Sequence, residues 1–75
     1  MNWVALGRGR YRTEAEGEVW WLVATPGERW PWLLHTEREQ RGRPVIDRRQ
    51  EIGAVSSEAA QRAAEVWLSL AKLCG

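Results

Sequence analysis

Six tryptophans and no phenylalanine have to be accommodated by a chain of only 75 residues. At 8.6 kDa such a chain folds to a surface of roughly 4,700 Å² and buries about 62% of what the extended chain exposes, which makes residues 1–75 one domain with a thin core. Each buried indole takes up about 150 to 250 Å², so six demand on the order of 900 to 1,500 Å². One small core shared with leucine, valine and a helix hardly supplies that area. Some tryptophan is therefore expected at the surface, where a large rigid ring is a binding element.

Turn chemistry divides the remainder of the chain. Glu16-Gly17 separates Arg10–Ala15, which alternates, from Glu18–Ala24, which is rich in β-formers; a two-residue hairpin turn is expected there. Thr25-Pro26-Gly27-Glu28 has the proline and glycine of a type II turn and leads into a third strand, Arg29–Thr36. Pro31 lacks a donor, so that strand is expected at an edge or irregularly paired. Glu37–Arg43 is charged and reads as an exposed loop, followed by a short strand near Val45 and Ile46 and another near Ile52–Val55. After a serine cap at Ser56 or Ser57, a helix is expected over about 57–73. Its apolar stripe reads Ala59, Ala63, Val66, Trp67, Leu70, Leu73 and Cys74, with Trp67 as core anchor. The fold expected is α+β: an antiparallel meander of three to five strands within 2–55, with one C-terminal helix packed on one face.

Those turns imply registers. With Glu16-Gly17 closing the first hairpin, Thr13 faces Trp20 and Tyr11 faces Leu22; with Pro26-Gly27 closing the second, Trp21 faces Trp32 and Val23 faces Trp30. Directly opposite residues share a face. One face then carries Tyr11, Thr13, Ala15, Trp20, Leu22, Ala24 and Leu33 beneath the helix. The other gathers Trp21, Trp30, Trp32, Leu34, Val19 and Val23 with Arg10, Arg12 and Glu14. A slip of one residue exchanges the assignments, and the alternative is that the tryptophan cluster is the core. The Trp21, Trp30 and Trp32 cluster with Arg10 and Arg12 is the candidate partner-binding surface, because tryptophan and arginine dominate binding hot spots. Arg41 and Arg43 are candidate additional contacts. Trp67 and Trp20 are assigned to the core.

The net charge of +1 excludes the footprint of a strongly basic nucleic-acid binder. One lysine, Lys72, stands among many arginines, and arginine forks onto carboxylates and stacks on aromatics. A lone cysteine, Cys74, forms no internal disulfide and fits a reducing compartment. Neither the Trp3–Leu6 stretch nor Val19–Ala24 is long enough for a signal peptide or membrane span, so a soluble cytoplasmic protein is expected. Catalysis is not expected. His35, Asp47 and Ser56 or Ser57 supply the residue types of a hydrolytic triad without a local frame to align them. His35, Glu37 and Glu39 alternate at a spacing open to metal ligation, but one histidine falls short of a closed site. No cofactor or metal is expected.

The segment from Gly53 to Ala64, Gly-Ala-Val-Ser-Ser-Glu-Ala-Ala-Gln-Arg-Ala-Ala, together with Trp3 and the Gly27-Glu28-Arg29-Trp30 turn, resembles small β-meander plus helix proteins of phages and prophages. Some proteins of that size and build are inhibitors of host defence machinery, including anti-CRISPR proteins. The resemblance implies an inhibitor that masks a partner surface. The same junction resembles the C-terminal half of a double-stranded RNA-binding domain, whose last helix opens on phosphate-gripping lysines. Here Ser56-Ser57-Glu58-Ala59-Ala60-Gln61 has none, which weakens the RNA-binding implication. The function expected is a non-catalytic protein-protein interaction module. A homodimer through the tryptophan face is a second outlet for that surface. Nucleic-acid binding, by tryptophan stacking and contacts from Arg8, Arg10, Arg12, Arg41 and Arg43 to phosphates, is the alternative.

Overall fold

The computed structural model of the chain contains β1 (Val4–Gly7), β2 (Arg10–Ala15), β3 (Glu18–Ala24), β4 (Trp32–Gln40), β5 (Arg43–Ile52) and α1 (Ser57–Cys74). The strands form one antiparallel sheet in chain order, β1-β2-β3-β4-β5, so the α+β meander with a C-terminal helix is the observed architecture. The structure describes the backbone of residues 1–74 and the side chains of residues 1–71; the expectations placed on Lys72, Leu73, Cys74 and Gly75 lie outside the described side chains. Among the described residues no helix is long and apolar enough to cross a membrane.

Two tight turns set the hairpins. At Glu16-Gly17 (φ 56° and 77°) and at Arg41-Gly42 (φ 53° and 78°) both residues are left-handed, the turn that matches the twist of antiparallel strands and that glycine makes inexpensive. The first turn places Thr13 opposite Trp20 and Tyr11 opposite Leu22, as its spacing predicts. The second extends the 37–43 segment, expected to be a loop, into a hairpin: β4 runs to Gln40 and β5 starts at Arg43. Alternation of β-compatible residues around an Arg-Gly turn outweighs the high charge, since both faces of this ribbon meet water. Ile52 ends β5, and residues 53–56 are not a strand. Pro44 lies in β5, an edge strand, where its missing donor costs no ladder bond.

The second register differs from expectation. Trp21 pairs with His35 and Val23 with Leu33, three positions further along β4. The Pro26-Gly27 turn does form, with Gly27 at φ 83° and Glu28 N–H donating to Thr25 O at 3.1 Å, but the strands meet only where Thr25 N–H reaches Pro31 O at 2.8 Å. Residues 28–31 enlarge the loop, and Thr25 Oγ1 donates to the Trp30 carbonyl to hold it. An odd shift exchanges the faces of a strand. Trp32 and Leu34 therefore turn beneath the helix, at 8% and 0% exposure, while Leu33 moves to the opposite face. β4 is an interior strand, and proline has no place within its ladder, so it begins one residue after Pro31.

The core joins Trp20, Leu22, Trp32, Leu34 and Ile52 of the sheet to Ala60, Ala64 and Leu68 of α1. Ser56 caps the helix, its Oγ accepting from Ala59 N–H at 3.2 Å. The buried stripe is rotated from the expected one: Ala60, Ala64 and Leu68 face inward, whereas Val66 and Leu70 remain 60% and 55% exposed. Volume explains the rotation. A sheet face already carrying Trp20, Trp32 and Tyr11 leaves room for alanines opposite it, and large rings pack best against small partners. Trp67 does anchor the helix, meeting Trp20 edge-on with ring centroids 5.6 Å apart. Trp3 packs on the same side and donates from Nε1 to Glu65 Oε2 at 2.8 Å. Where the helix leaves Trp20 uncovered, the Arg48 guanidinium lies 4.9 Å over its ring and pairs with Glu18.

Candidate functional site

The helix covers one face of the sheet and leaves the other open. Strand alternation puts Arg10, Arg12 and Glu14 of β2, Val19, Trp21 and Val23 of β3, Leu33 and His35 of β4, and Arg49 and Glu51 of β5 on that open face. Its centre is apolar. The Trp21 ring stacks on the His35 ring with centroids 5.8 Å apart and planes 18° from parallel. His35 is buried despite lying on the uncovered face; its Nε2 meets Glu37 Oε2 at 3.0 Å, and its Nδ1 is buried without a partner.

A bulge fixes this arrangement. His35 opposes Arg49 and Glu37 opposes Ile46, so Thr36 faces two residues, Asp47 and Arg48. Its hydroxyl accepts from Arg48 N–H at 3.1 Å, satisfying a donor that the bulge removes from the ladder. Beyond it β4 and β5 pair with each other alone, since the β3 ladder stops at His35. The result is a two-stranded ribbon whose tip carries Arg41 and Arg43. Ile46, 47% exposed, extends the apolar surface onto it.

Of the residues expected to act together, Arg12 and Trp21 are direct cross-strand neighbours and Arg10 lies opposite Val23. Arg12 also pairs with Glu14 at 3.3 Å. Trp30 is not in a strand; it sits in the 25–31 loop, 43% exposed, its ring close against Gly53, where an added Cβ would come within 3.0 Å. There it lines a cavity of about 440 Å³ with Arg29, Leu33 and Arg49, at one end of the open face. Trp32 turns to the covered face, away from Trp21, although its edge also lines the cavity beside Trp30. Arg41 and Arg43 occupy the far tip of the ribbon. Sequence reasoning missed His35, Leu33, Arg49 and Ile46 as members of this face. Pro31 was the signal that would have located the first two, because an interior strand has to start after it.

The residue types of a hydrolytic triad are each engaged elsewhere: His35 with Glu37, Asp47 with Arg38 at 3.3 Å, and Ser56 with the helix N-terminus. Among the described residues there is no cluster of three metal-ligating side chains. His35 lies within β4. The geometry defines a small α+β domain with one covered and one open sheet face. Comparison with protein families, curated proteins and solved structures finds no match.

Proposed function

We propose that the chain is a non-catalytic protein-protein interaction module whose docking surface is the open sheet face. The observation that carries this reading is the composition of that face: an apolar centre of Val19, Trp21, Val23 and Leu33 flanked by charges of both signs, Arg10, Arg12 and Arg49 against Glu14, Glu37 and Glu51. An aromatic anchor within a polar rim is the anatomy of a protein interface. Arg10, Arg12, Trp21 and Trp30 are the proposed contact residues, with Arg41 and Arg43 reaching a second point through the ribbon. The specific form of the proposal is masking, in which a small cytoplasmic inhibitor of the phage type covers a partner's working surface. Capture from a native host lysate with the wild-type chain and with Trp21→Ala tests it: the co-purifying protein is expected to be lost with the variant while circular dichroism stays unchanged.

The nucleic-acid alternative fits this face less well. Carboxylates among the arginines repel the phosphate backbone, and Arg41 and Arg43 are distant from Trp21. Titration with single- and double-stranded oligonucleotides at low salt is expected to show no binding. Affinity falling steeply with salt would overturn the protein-interaction reading in favour of phosphate contacts.

A further inference from the structure

We infer that the cavity of about 440 Å³ at the Trp30 end of the open face is a binding site for a small zwitterion with an aromatic body, of which a free aromatic amino acid is the simplest case. Its volume lies in the range of about 300–1,000 Å³ that small-molecule sites occupy. Trp21, the anchor of the docking reading, is not among the lining residues, so this site stands apart from that reading.

Two elements bring charge to the cavity, and each supplies one carboxylate and one guanidinium: Glu28 and Arg29 from the 25–31 loop, Arg49 and Glu51 from β5. Among the described residues none of these four side chains makes an ion pair, so all are available to a ligand. The balance of signs sets the ligand class. An anion alone meets Glu28 and Glu51 as repulsion, and a cation alone meets Arg29 and Arg49; a molecule carrying both an ammonium and a carboxylate pairs with both sets. The apolar part of the lining is the Trp30 ring with Leu33, a surface against which an aromatic ring stacks or packs edge-on. The site is also built in advance. Thr25 N–H donates to Pro31 O at 2.8 Å and Thr25 Oγ1 donates to the Trp30 carbonyl, which fixes the loop, and the Trp30 ring lies against Gly53, where a Cβ would crowd it. The indole wall is therefore in place before a ligand arrives, which lowers the cost of binding. The cavity of about 400 Å³ beside Trp20 lacks this provision, because its guanidinium, Arg48, already lies over the Trp20 ring and pairs with Glu18.

Titration of the full chain with phenylalanine, followed at the Trp30 indole N–H resonance, is the test. Saturation is expected with a dissociation constant of about 1 mM. N-acetylphenylalanine keeps only the carboxylate and phenylalaninamide only the ammonium, and each is expected to bind about fivefold more weakly. Alanine, with both charges and no ring, is expected to leave the resonance unmoved. Glu51→Gln is expected to weaken phenylalanine and phenylalaninamide while sparing N-acetylphenylalanine; Arg49→Gln is expected to weaken phenylalanine and N-acetylphenylalanine while sparing phenylalaninamide. Loss of fold does not mimic that crossed pattern. Alanyl-phenylalanine binding more tightly than phenylalanine assigns the zwitterion to a short peptide, and more weakly to a free amino acid. No shift up to about 10 mM phenylalanine, equal binding of the singly charged analogues, or equal weakening of every ligand by Glu51→Gln overturns the inference. Partner capture depends on Trp21 and this titration reads Trp30, so either reading fails without the other.

Discussion

The two faces of the sheet are built from the same strands, yet they divide the aromatic residues unequally. Beneath α1 lie Trp20 and Trp32, with Trp67 and Trp3 packed around them; on the open side Trp21 stands with His35 as its ring neighbour. A thin domain solves its volume problem by placing most of its rings in one layer and making the facing helix small, with Ala60 and Ala64 fully buried. The open face keeps one large ring and surrounds it with branched aliphatic and charged side chains. Stability is concentrated on one side and recognition is proposed for the other.

Substituting one tryptophan on each face breaks that comparison most directly. Trp32→Ala removes a ring from the covered layer and is expected to cost about 3–5 kcal/mol, most of the stability of a domain held by roughly 4–11 kcal/mol. Trp21→Ala loses a stack on a partly solvated face and is expected to cost about 1 kcal/mol. Urea denaturation followed by far-ultraviolet circular dichroism measures both. Equal losses would mean that both faces are core.

Gly9→Ala probes the end of the covered layer. Gly9 lies at φ +72° and an added Cβ would sit 2.8 Å from the Ala24 Cβ, while the Gly9 carbonyl accepts from Ala24 N–H at 2.8 Å. The left-handed backbone and the overlap together are expected to cost about 2–3 kcal/mol in the same measurement. An unchanged midpoint would show that β1 and its turn contribute nothing to the covered side.

The contrast between faces was legible in the sequence for β2 and β3 and not for β4. Glu16-Gly17 is a two-residue turn with one geometry, so the pairing of Thr13 with Trp20 followed from counting. Pro26-Gly27 also forms its turn, but the hairpin closes only at Pro31, and local turn chemistry carries no information about how many further residues a loop holds. The face of α1 was obscured for another reason. Alanines at 59, 60, 63 and 64 are equally compatible with two helix faces, and the choice was made by the volume of Trp20 and Trp32, a tertiary effect. Hydrophobic periodicity favoured the larger side chains, and packing favoured the smaller ones. The candidate site inherited the first error: Trp21, Arg10 and Arg12 were placed together by the readable hairpin, whereas Trp32 went with the unread one.

Ser56→Ala removes the hydroxyl that caps α1 at Ala59 N–H and is expected to cost about 1 kcal/mol. Because α1 is the one element among the described residues that lies over the sheet core, that loss should appear as unfolding of the whole domain in one transition, with the helical signal and the Trp20 environment changing together. Separate transitions would mean that the sheet persists without the helix, and that the covered face can be opened without destroying it.

The smallest effect is expected where sequence periodicity predicts a large one. Val66 lies in the apolar stripe read from spacing, yet it is 60% exposed, whereas Leu68, two residues on, is buried. Val66→Ser removes little buried area and is expected to change stability by less than about 0.5 kcal/mol, against about 2–5 kcal/mol for Leu68→Ala. Paired urea titrations measure the ratio. A reversal, with Val66→Ser the costlier change, would require α1 to turn by about 160°, since two residues subtend about 200° of helix. It would bring Leu70 against Trp20 and force the rings apart, because the space now filled by Ala60 and Ala64 cannot hold a branched side chain beside them. The ratio therefore measures which helix face is accommodated by a layer already filled with tryptophan.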